Sequence, residues 1–283
     1  MMPSNRSLLF VPGNRPERFD KAAASGADAL IFDLEDAVPE AQRESAALEV
    51  TRWLQTHARP GNGSGGLQRW LRVPDARNRP AWLMPLLAQP GLDGLVLPKV
   101  EAADHLNGWS LPVIAQIESA LGVLAIEAIA SADSTLQGLA IGPEDLSVSL
   151  RVAPEEPALA PICARAVVAA RAYGRDVYAC PGSIAEFRDL DRWRSILLAG
   201  RALGSDGMMC IHPAQVAVAN EVFSPDSAAI ERARAVLAAW DEAVARGLAA
   251  ASLDGRMIDP PVANRARDVI EAARRFGLID RPG

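Results

Sequence analysis

The sequence predicts an α/β protein: a (β/α)8 barrel of the TIM type followed by a C-terminal helical extension. Three observations support this prediction. The length of 283 residues is close to the roughly 250 residues of a typical barrel of this kind. Short runs rich in Val, Ile and Leu alternate with longer amphipathic segments, as in βα units around a parallel sheet. These apolar runs number eight, which is the strand count of the barrel.

The predicted strands are short apolar runs of four or five residues each. In chain order they are Ser7–Val11, Ala29–Asp33, Arg69–Val73, Gly94–Pro98, Val113–Ile117, Gly138–Ile141, Asp176–Ala179 and Gly207–Ile211. The segments between and after them carry apolar residues at helical spacing. The clearest predicted helices are Glu40–His57, Arg77–Gln89, Ala120–Ala130, Pro157–Tyr173, Ile184–Ala199 and Pro213–Val222.

The pattern changes after the eighth strand, and we predict a barrel domain over residues 1–222 and a helical extension over 223–283. Two long helical segments follow, Ser227–Arg246 and Pro261–Phe276, and we predict no further strand. The polar linker between them is interpreted as a turn and a helix start, because Pro is favoured at the first helical position. We expect this extension to pack on a neighbouring subunit or to close over the site as a lid.

Composition excludes several functional classes. Hydrophobic residues make up 49% and charged residues 23% of the chain, and 29 Lys and Arg against 35 Asp and Glu give a net charge of −6. These values are ordinary for a globular protein and argue against disorder. An acidic chain does not suit binding to the phosphates of nucleic acid, and no segment is long and apolar enough for a membrane span. We therefore expect neither nucleic acid nor membrane as a partner.

The cysteines and the amino terminus indicate a cytoplasmic protein. Cys163, Cys180 and Cys210 are odd in number and lack Cys-x-x-Cys spacing, which fits a reducing compartment and core packing. The first apolar run is too short for a signal peptide.

The stretch Gly61–Gly66 matches Gly-x-Gly-x-x-Gly, but it follows a predicted helix and precedes a predicted strand, the reverse of the order in a dinucleotide site. We interpret it as a flexible loop.

Polar residues just past the predicted strands define the candidate site, because parallel barrel strands all end at one face. Glu118 and Asp145 each follow an apolar strand, and a carboxylate there is costly to desolvate unless it is paired or binds a metal. Two carboxylates, with water and ligand oxygens, suit Mg²⁺. The alternative is that both acids cap the helices that follow them.

A second set of charges follows strands two to four. Asp33 and Glu35 lie on the same face of their strand, and with Asp36 they can partner the metal, Arg72 or Lys99; Asp36 can instead start a helix. An Arg between apolar residues, such as Arg72, either binds an anion or forms a buried ion pair, here with Glu35. We expect Lys99 to contact a substrate carboxylate rather than to form a Schiff base.

His212 is the histidine nearest a strand end. We interpret it as a structural, hydrogen-bonded residue with a role as catalytic base as the alternative. No Ser/His/Asp or Cys/His set can be assembled from the chain.

Taken together, these motifs resemble the citrate lyase beta subunit family, the acyl-CoA lyase branch of the hydroxy-keto-acid aldolases. The resemblance spans nearly the whole chain. Its motifs are Arg6–Gly13, Gly26–Asp28, Asp33–Val38, Leu97–Glu101, Gln116–Ala120, Gly142–Leu146, Ile211–Pro213 with Gln215, and Gly255–Asp259.

The resemblance implies a magnesium-dependent barrel enzyme that makes or breaks a carbon–carbon bond between an acyl thioester and a 2-oxo acid. It implies that Glu118 and Asp145 hold the metal and that Arg72 contacts substrate oxygens. It also implies that Asp259 acts as acid and base in a neighbouring subunit's site, and we expect a homotrimer. We assign substrate binding to Arg72, Glu118, Glu35 and Asp36.

Two other functions compete with this one. A class II pyruvate aldolase shares the barrel and the two metal carboxylates but uses no CoA; the acids Glu35 and Asp36, where such aldolases typically carry His, favour the thioester reaction. A non-catalytic structural barrel is the other alternative, and the set Arg72, Glu118, Asp145 and Asp259 argues against it. The sequence leaves open citryl, malyl or citramalyl thioesters, and CoA or a protein-bound phosphopantetheine as the carrier.

Overall fold

The computed structural model describes residues 5–57, 66–132, 135–154 and 157–280. The chain forms two compact units, one ending at Phe223 and the other beginning at Ser224. In the described part of the chain, no helix is long and apolar enough to cross a membrane.

The first unit is a barrel of eight parallel strands, which confirms the predicted fold class. The strands are β1 Ser7–Pro12, β2 Ala29–Asp33, β3 Gln68–Arg72, β4 Gly94–Leu97, β5 Val113–Ile117, β6 Leu136–Ile141, β7 Asp176–Tyr178 and β8 Met208–Cys210. Their hydrogen-bonded order is β7-β6-β5-β4-β3-β2-β1-β8. Each differs from its predicted bounds by at most two residues at either end, because buried parallel strands read as near-continuous apolar runs.

The barrel is nearly closed, and side chains join β7 to the segment before β8. Ser205 Oγ accepts a hydrogen bond from Ala179 N at 2.9 Å and donates one to Val177 O at 3.1 Å. Asp206 N donates to Val177 O at 2.8 Å, and Asp206 Oδ2 accepts from Val177 N at 2.8 Å. These two residues satisfy β7 backbone groups that would otherwise need a strand ladder.

Nine helices of the described barrel unit follow or connect its strands. They are α1 Phe19–Ala23, α2 Arg43–Thr56, α3 Met84–Leu87, α4 Ala120–Leu124, α5 Ile126–Ala130, α6 Pro143–Leu150, α7 Ala160–Ala172, α8 Leu190–Leu203 and α9 Pro213–Val222. The predicted helix Arg77–Gln89 shrinks to one 3-10 turn and α3, because Pro80 and Pro85 lack the amide hydrogen that a longer helix needs. The predicted helix Ile184–Ala199 begins only at Leu190, where Asp189 caps α8.

Two apolar clusters fill the barrel unit. One lies inside the barrel and includes Ile31, Trp70, Val96 and Tyr178. The larger one packs the outer strand faces against the helices and contains Cys163, Cys180 and Cys210. All three cysteines are free and buried, which confirms their predicted role in the core. Residues 61–65 of the glycine-rich stretch lie outside the described residues.

The described part of the second unit, up to residue 280, contains two helices and a β-hairpin. Helix α10 spans Ser227–Ala245, β9 spans Ala251–Leu253, β10 spans Arg256–Ile258 and α11 spans Pro260–Arg275. The prediction that no strand follows the eighth is therefore wrong. Asp254 and Gly255 both have positive φ, 51° and 73°, which is the geometry of a two-residue hairpin turn and is typical of an Asp-Gly pair.

Candidate active site

The barrel strands bring the predicted acidic and basic residues to one face. Asp33 ends β2, Arg72 ends β3, Lys99 follows β4 by two residues, and Glu118 directly follows β5. Asp145 lies in the first turn of α6, after β6. A cavity of about 360 Å³ opens here; its walls include Phe10, Asp33, Asp36, Arg72, Gln116, Glu118, Glu144, Asp145, Ile184, Ala185 and Ile211.

Arg72 is held by three carboxylates. Its Nε and Nη2 donate to the two oxygens of Asp33 at 2.7 Å each. Its Nη1 lies 2.9 Å from Glu35 Oε2 and 3.3 Å from Asp36 Oδ2. The guanidinium side chain is 9% exposed, and although burial lowers its pKa, these carboxylates raise it overall. The buried ion pair considered from the sequence is present, and the same side chain also reaches the cavity wall.

Lys99 joins the acidic strand end to the first turn of α6. Its Nζ lies 2.6 Å from Glu35 Oε1, 3.4 Å from Asp145 Oδ2 and 3.7 Å from Asp36 Oδ1. The backbone at Lys99 has a φ of 52°, an uncommon conformation for a residue with a side chain. In this conformation Lys99 N donates to Glu118 Oε2 at 2.9 Å. The strained backbone thus supplies a hydrogen bond to the buried carboxylate.

Glu118 is a buried acid of the cavity wall, with 6% of its surface exposed. Besides Lys99 N, its carboxylate accepts one hydrogen bond from Gln116 Nε2, at 3.1 Å. Burial, and after it the neighbouring Glu35, raise the pKa of Glu118 to about 7, against the lowering effects of Arg72 and of the hydrogen bond from Lys99 N. A Cβ at Gly142 would lie 2.4 Å from Glu118 Oε1, so the carboxylate fits only because residue 142 is glycine.

The charges at this face do not balance. Five carboxylates, those of Asp33, Glu35, Asp36, Glu118 and Asp145, surround two cations, Arg72 and Lys99, and Glu144 adds a sixth acid to the cavity wall. The buried Gln116 Oε1 has no hydrogen-bond partner among the described residues. In the described part of the chain, no three His, Cys, Asp or Glu side chains are grouped as a complete metal cage. The donor set therefore suits a hard cation that takes two protein carboxylates and completes its oxygen shell with water and ligand.

Two sequence-predicted residues have visible structural roles. His212 caps α9, since its Nδ1 accepts from Ala214 N at 3.1 Å, and its ring stacks on Phe187. Asp259 belongs to the second unit, where its Oδ1 caps α11 by accepting from Val262 N at 3.1 Å. The structural reading of His212 agrees with these contacts, and the acid–base role of Asp259 stays a prediction.

Sequence reasoning assigned no role to two residues that shape the cavity wall, the buried Gln215 and the partly buried Glu144. Gln215 is fully buried, and its amide joins the ends of β8 and the β7–α8 loop through Ile211 N and Ile184 O. Glu144 Oε1 accepts from Ser183 Oγ and Ile184 N at 2.5 and 3.1 Å. The visible signal was the polar residue Gln215 on the apolar face of a predicted helix, since a buried polar group needs partners.

The fold and this face define an α/β-barrel enzyme whose carboxylate-rich cavity is suited to a divalent cation. The chain belongs to the HpcH/HpaI aldolase/citrate lyase family, whose model matches residues 6–213. This finding confirms the resemblance that the motifs indicate.

Individual relatives match nearly the full chain. It is 34% identical over 287 residues to a (3S)-malyl-CoA thioesterase of Cereibacter sphaeroides, covering 96% of both proteins. It is 32% identical to the citrate lyase subunit beta of Leuconostoc mesenteroides, covering 98% of this chain and 96% of the relative. Among solved structures, CitE from Mycobacterium tuberculosis in complex with magnesium, acetoacetate and coenzyme A matches with a TM-score of 0.76 at 28% identity, covering 98% of this chain and all of that one.

Proposed function

We propose that this protein is a magnesium-dependent carbon–carbon lyase acting on 3-hydroxyacyl thioesters. Cleavage yields an acyl thioester and a 2-oxo acid, and condensation is the reverse reaction. The single observation that carries the proposal is the excess of carboxylates around Arg72 at the carboxyl ends of the strands. The thioester part rests on relatives named for malyl-CoA and citrate and on a neighbour that binds magnesium and coenzyme A.

Glu118 and Asp145 are the proposed metal ligands. Glu118 is buried and accepts only two hydrogen bonds in the described structure, so its carboxylate retains lone pairs for a cation. Asp145 is half-exposed and opposite Lys99, which leaves it accessible. When bound, Mg²⁺ supplies Lewis-acid polarisation of the substrate oxygens and two-point orientation of a 2-hydroxy acid unit.

Arg72 is the proposed electrostatic group of the reaction. Cleavage breaks the bond between C2 and C3 of the thioester, and the electron pair moves to C2 as an enolate while the C3 hydroxyl loses its proton to become a carbonyl. A fixed guanidinium stabilises such developing charge without reorganisation. Asp33 fixes it through two hydrogen bonds of 2.7 Å.

Glu35 and Asp36 are proposed to serve substrate binding through the two cations. Glu35 is almost fully buried between Arg72 and Lys99, with side-chain exposure of 4%. Burial raises its pKa, and the opposing effects of Arg72 and Lys99 leave a net rise. Asp36 is more exposed and lines the cavity. Through their ion pairs, Glu35 and Asp36 hold Arg72 and Lys99 beside the space where substrate oxygens would lie.

Asp259 is proposed to protonate C2 during cleavage and to remove a proton there during condensation, from a neighbouring subunit of a homotrimer. Its support is the family resemblance and its place in a separate compact unit. Mixing Asp259→Asn with Glu118→Gln protein under subunit exchange tests this role: activity should reappear in mixed oligomers. Exchange without recovery would mean that Asp259 does not act across subunits.

The test of the function is a panel of 3-hydroxyacyl-CoA compounds with Mg²⁺ and detection of the released 2-oxo acid. A scaffold would cleave none of them, and Mg²⁺ would not stabilise it saturably against heat. A CoA-independent aldolase would instead act on free hydroxy-oxo acids.

We also propose a cytoplasmic location, supported by the three free, buried cysteines.

A further inference from the structure

Lys99 contacts both proposed metal ligands, each through a different group. Its backbone N donates to Glu118 Oε2 at 2.9 Å. Its side-chain Nζ lies 3.4 Å from Asp145 Oδ2 and 2.6 Å from Glu35 Oε1. One residue therefore touches the two carboxylates proposed to hold the cation and a third carboxylate beside them.

The two contacts of Lys99 have opposite effects on cation binding. The backbone N–H carries only a partial charge, and it fixes the direction of the Glu118 carboxylate, so it organises a ligand in advance. The ammonium carries a full positive charge at Asp145, and like charges at such short range repel each other. Lys99 therefore organises one ligand of the cation and shields the other from it.

The residue type at position 99 suits a contact that can be exchanged. The chain contains 27 arginines and only two lysines, Lys21 and Lys99. An arginine fork pairs with both oxygens of a carboxylate, whereas an ammonium is a compact point charge on a flexible stem. The side chains of Lys99 and Asp145 are 51% and 44% exposed. The ammonium can therefore leave Asp145 while the backbone keeps its bond to Glu118.

The Lys99 ammonium also balances charge within the protein. The five carboxylates at this face of the described barrel share Arg72 and Lys99. Glu35, whose side chain is only 4% exposed, takes one partner from each cation. A buried carboxylate that loses a cationic partner destabilises the fold. The charge of Lys99 is therefore expected to stabilise the protein even though it opposes a second cation.

We propose that Lys99 is a positioning residue that lowers the affinity of the cation site for Mg²⁺. Its backbone holds Glu118 in place for the metal ion, and its ammonium competes with the metal ion for the Asp145 carboxylate. The inference rests on the proposed metal site of the lyase. A residue with a purely structural role would instead support both folding and metal binding, so the two roles predict opposite signs for one measurement.

The test is Lys99→Met, which removes the charge and keeps the length of the side chain. Methionine is also unbranched at Cβ, so the backbone at position 99 meets the same steric constraint. Calorimetry of the full-length protein with Mg²⁺ alone should show affinity at least about fivefold higher than wild type. Melting curves in EDTA should show a Tm at least about 2 °C lower.

The two measurements separate failure of the inference from failure of the proposed function. Unchanged or weaker Mg²⁺ binding by a folded Lys99→Met protein, beside binding by wild type, overturns the role of Lys99. Absence of Mg²⁺ binding by both proteins overturns the proposed metal site, and the inference with it. A structural role of Lys99 would lower affinity and Tm together.

Two control variants show whether the charge at position 99 is the cause. Lys21→Met changes the net charge by the same amount at an exposed position of α1, and Mg²⁺ affinity should stay within about twofold of wild type. Lys99→Arg keeps the charge and should bind Mg²⁺ no more tightly than wild type. A gain in either control equal to that of Lys99→Met overturns the inference.

Acetylation tests the same charge in a protein that has already folded. In Lys21→Met protein, Lys99 is the single lysine of the chain, and its half-exposed side chain is open to acetic anhydride. Acetylation removes the charge, so Mg²⁺ affinity should rise at least about fivefold once mass spectrometry shows that Lys99 is modified. Unchanged affinity of the modified, folded protein overturns the inference even if Lys99→Met does not fold.

Discussion

The two ends of the barrel both carry charged side chains, but they arrange them differently. At the amino ends, Asp28 accepts three hydrogen bonds from Arg6, including its backbone N, at 2.7 to 2.9 Å. Asp206 pairs with Arg171 through two bonds of 2.7 and 2.9 Å. At the carboxyl ends, five carboxylates share two cations, and the pKa of Glu118 is raised to about 7.

The difference separates structural from functional charge. A carboxylate matched by one arginine and a backbone N–H is fully satisfied and has no need of a ligand. A buried carboxylate with a raised pKa and uncompensated neighbours is unfavourable until a cation arrives. Substitutions at the two ends should therefore affect different measurements.

The largest effect is expected from Glu118→Gln and Asp145→Asn. Each removes a charged ligand of a hard cation, so we expect kcat/KM to fall at least about 1000-fold and Mg²⁺ affinity to fall with it. Calorimetry and circular dichroism measure affinity and fold. The control is Asp28→Asn at the amino ends, which should bind Mg²⁺ as the wild type does. Wild-type affinity in either carboxyl-end variant would refute the metal site.

Arg72→Lys comes next, with Arg171→Lys as its matched control. A lysine cannot make two bonds to Asp33 and also reach Glu35 and Asp36. We therefore expect kcat/KM to fall about 100-fold, because the fixed positive charge that stabilises the enolate is lost. Arg171→Lys should leave kcat/KM within about twofold of wild type, since it only weakens the partly exposed ion pair between Arg171 and Asp206. Steady-state kinetics compares the two. An unchanged rate for Arg72→Lys would leave Arg72 a purely structural ion pair.

The raised pKa of Glu118 predicts a pH dependence. Protons compete with Mg²⁺ below about pH 7, so metal affinity should fall by up to about tenfold per pH unit there. In the metal-free protein, the folded state favours the protonated form of Glu118, because its pKa is raised from 4.5 to about 7. This contribution to the free energy of unfolding is complete below about pH 4.5 and is lost as the pH rises through about 7. Melting curves of wild type and Glu118→Gln should therefore diverge with pH, in favour of the variant at higher pH. Parallel curves would contradict the raised pKa.

The smallest effect on turnover is expected at the amino ends. Asp28→Asn keeps the size of the side chain but places an amide NH2, which cannot accept hydrogen bonds, beside the N–H donors of Arg6. We expect the free energy of unfolding to fall by about 1–3 kcal/mol. Urea unfolding measures this loss, and kcat/KM should stay within about twofold of wild type. A large loss of turnover in a folded protein would show that the two ends are coupled.

The sequence predicted most of the strands and failed where side chains from distant segments decide local structure. Residues 184–189 have helical spacing, yet they form a loop because Glu144 and Gln215 bind the Ile184 backbone. Conversely, the hairpin β9–β10 has strands of only three residues, too short for a periodic signal. The Asp254-Gly255 pair was its one local signal.

The sequence by itself determined the alternation of buried strands and amphipathic helices, and with it the convergence of Arg72, Glu118 and Asp145 at one face. It did so because side-chain periods are local properties, and because alternating strands and helices imply parallel strands whose carboxyl ends share one face. Only the tertiary structure decided which acid is matched by which base. Ion pairing depends on distances between segments far apart in the chain, such as Lys99 and Glu35 at 2.6 Å. Burial, which raises the pKa of Glu118, likewise exists only once the barrel has formed.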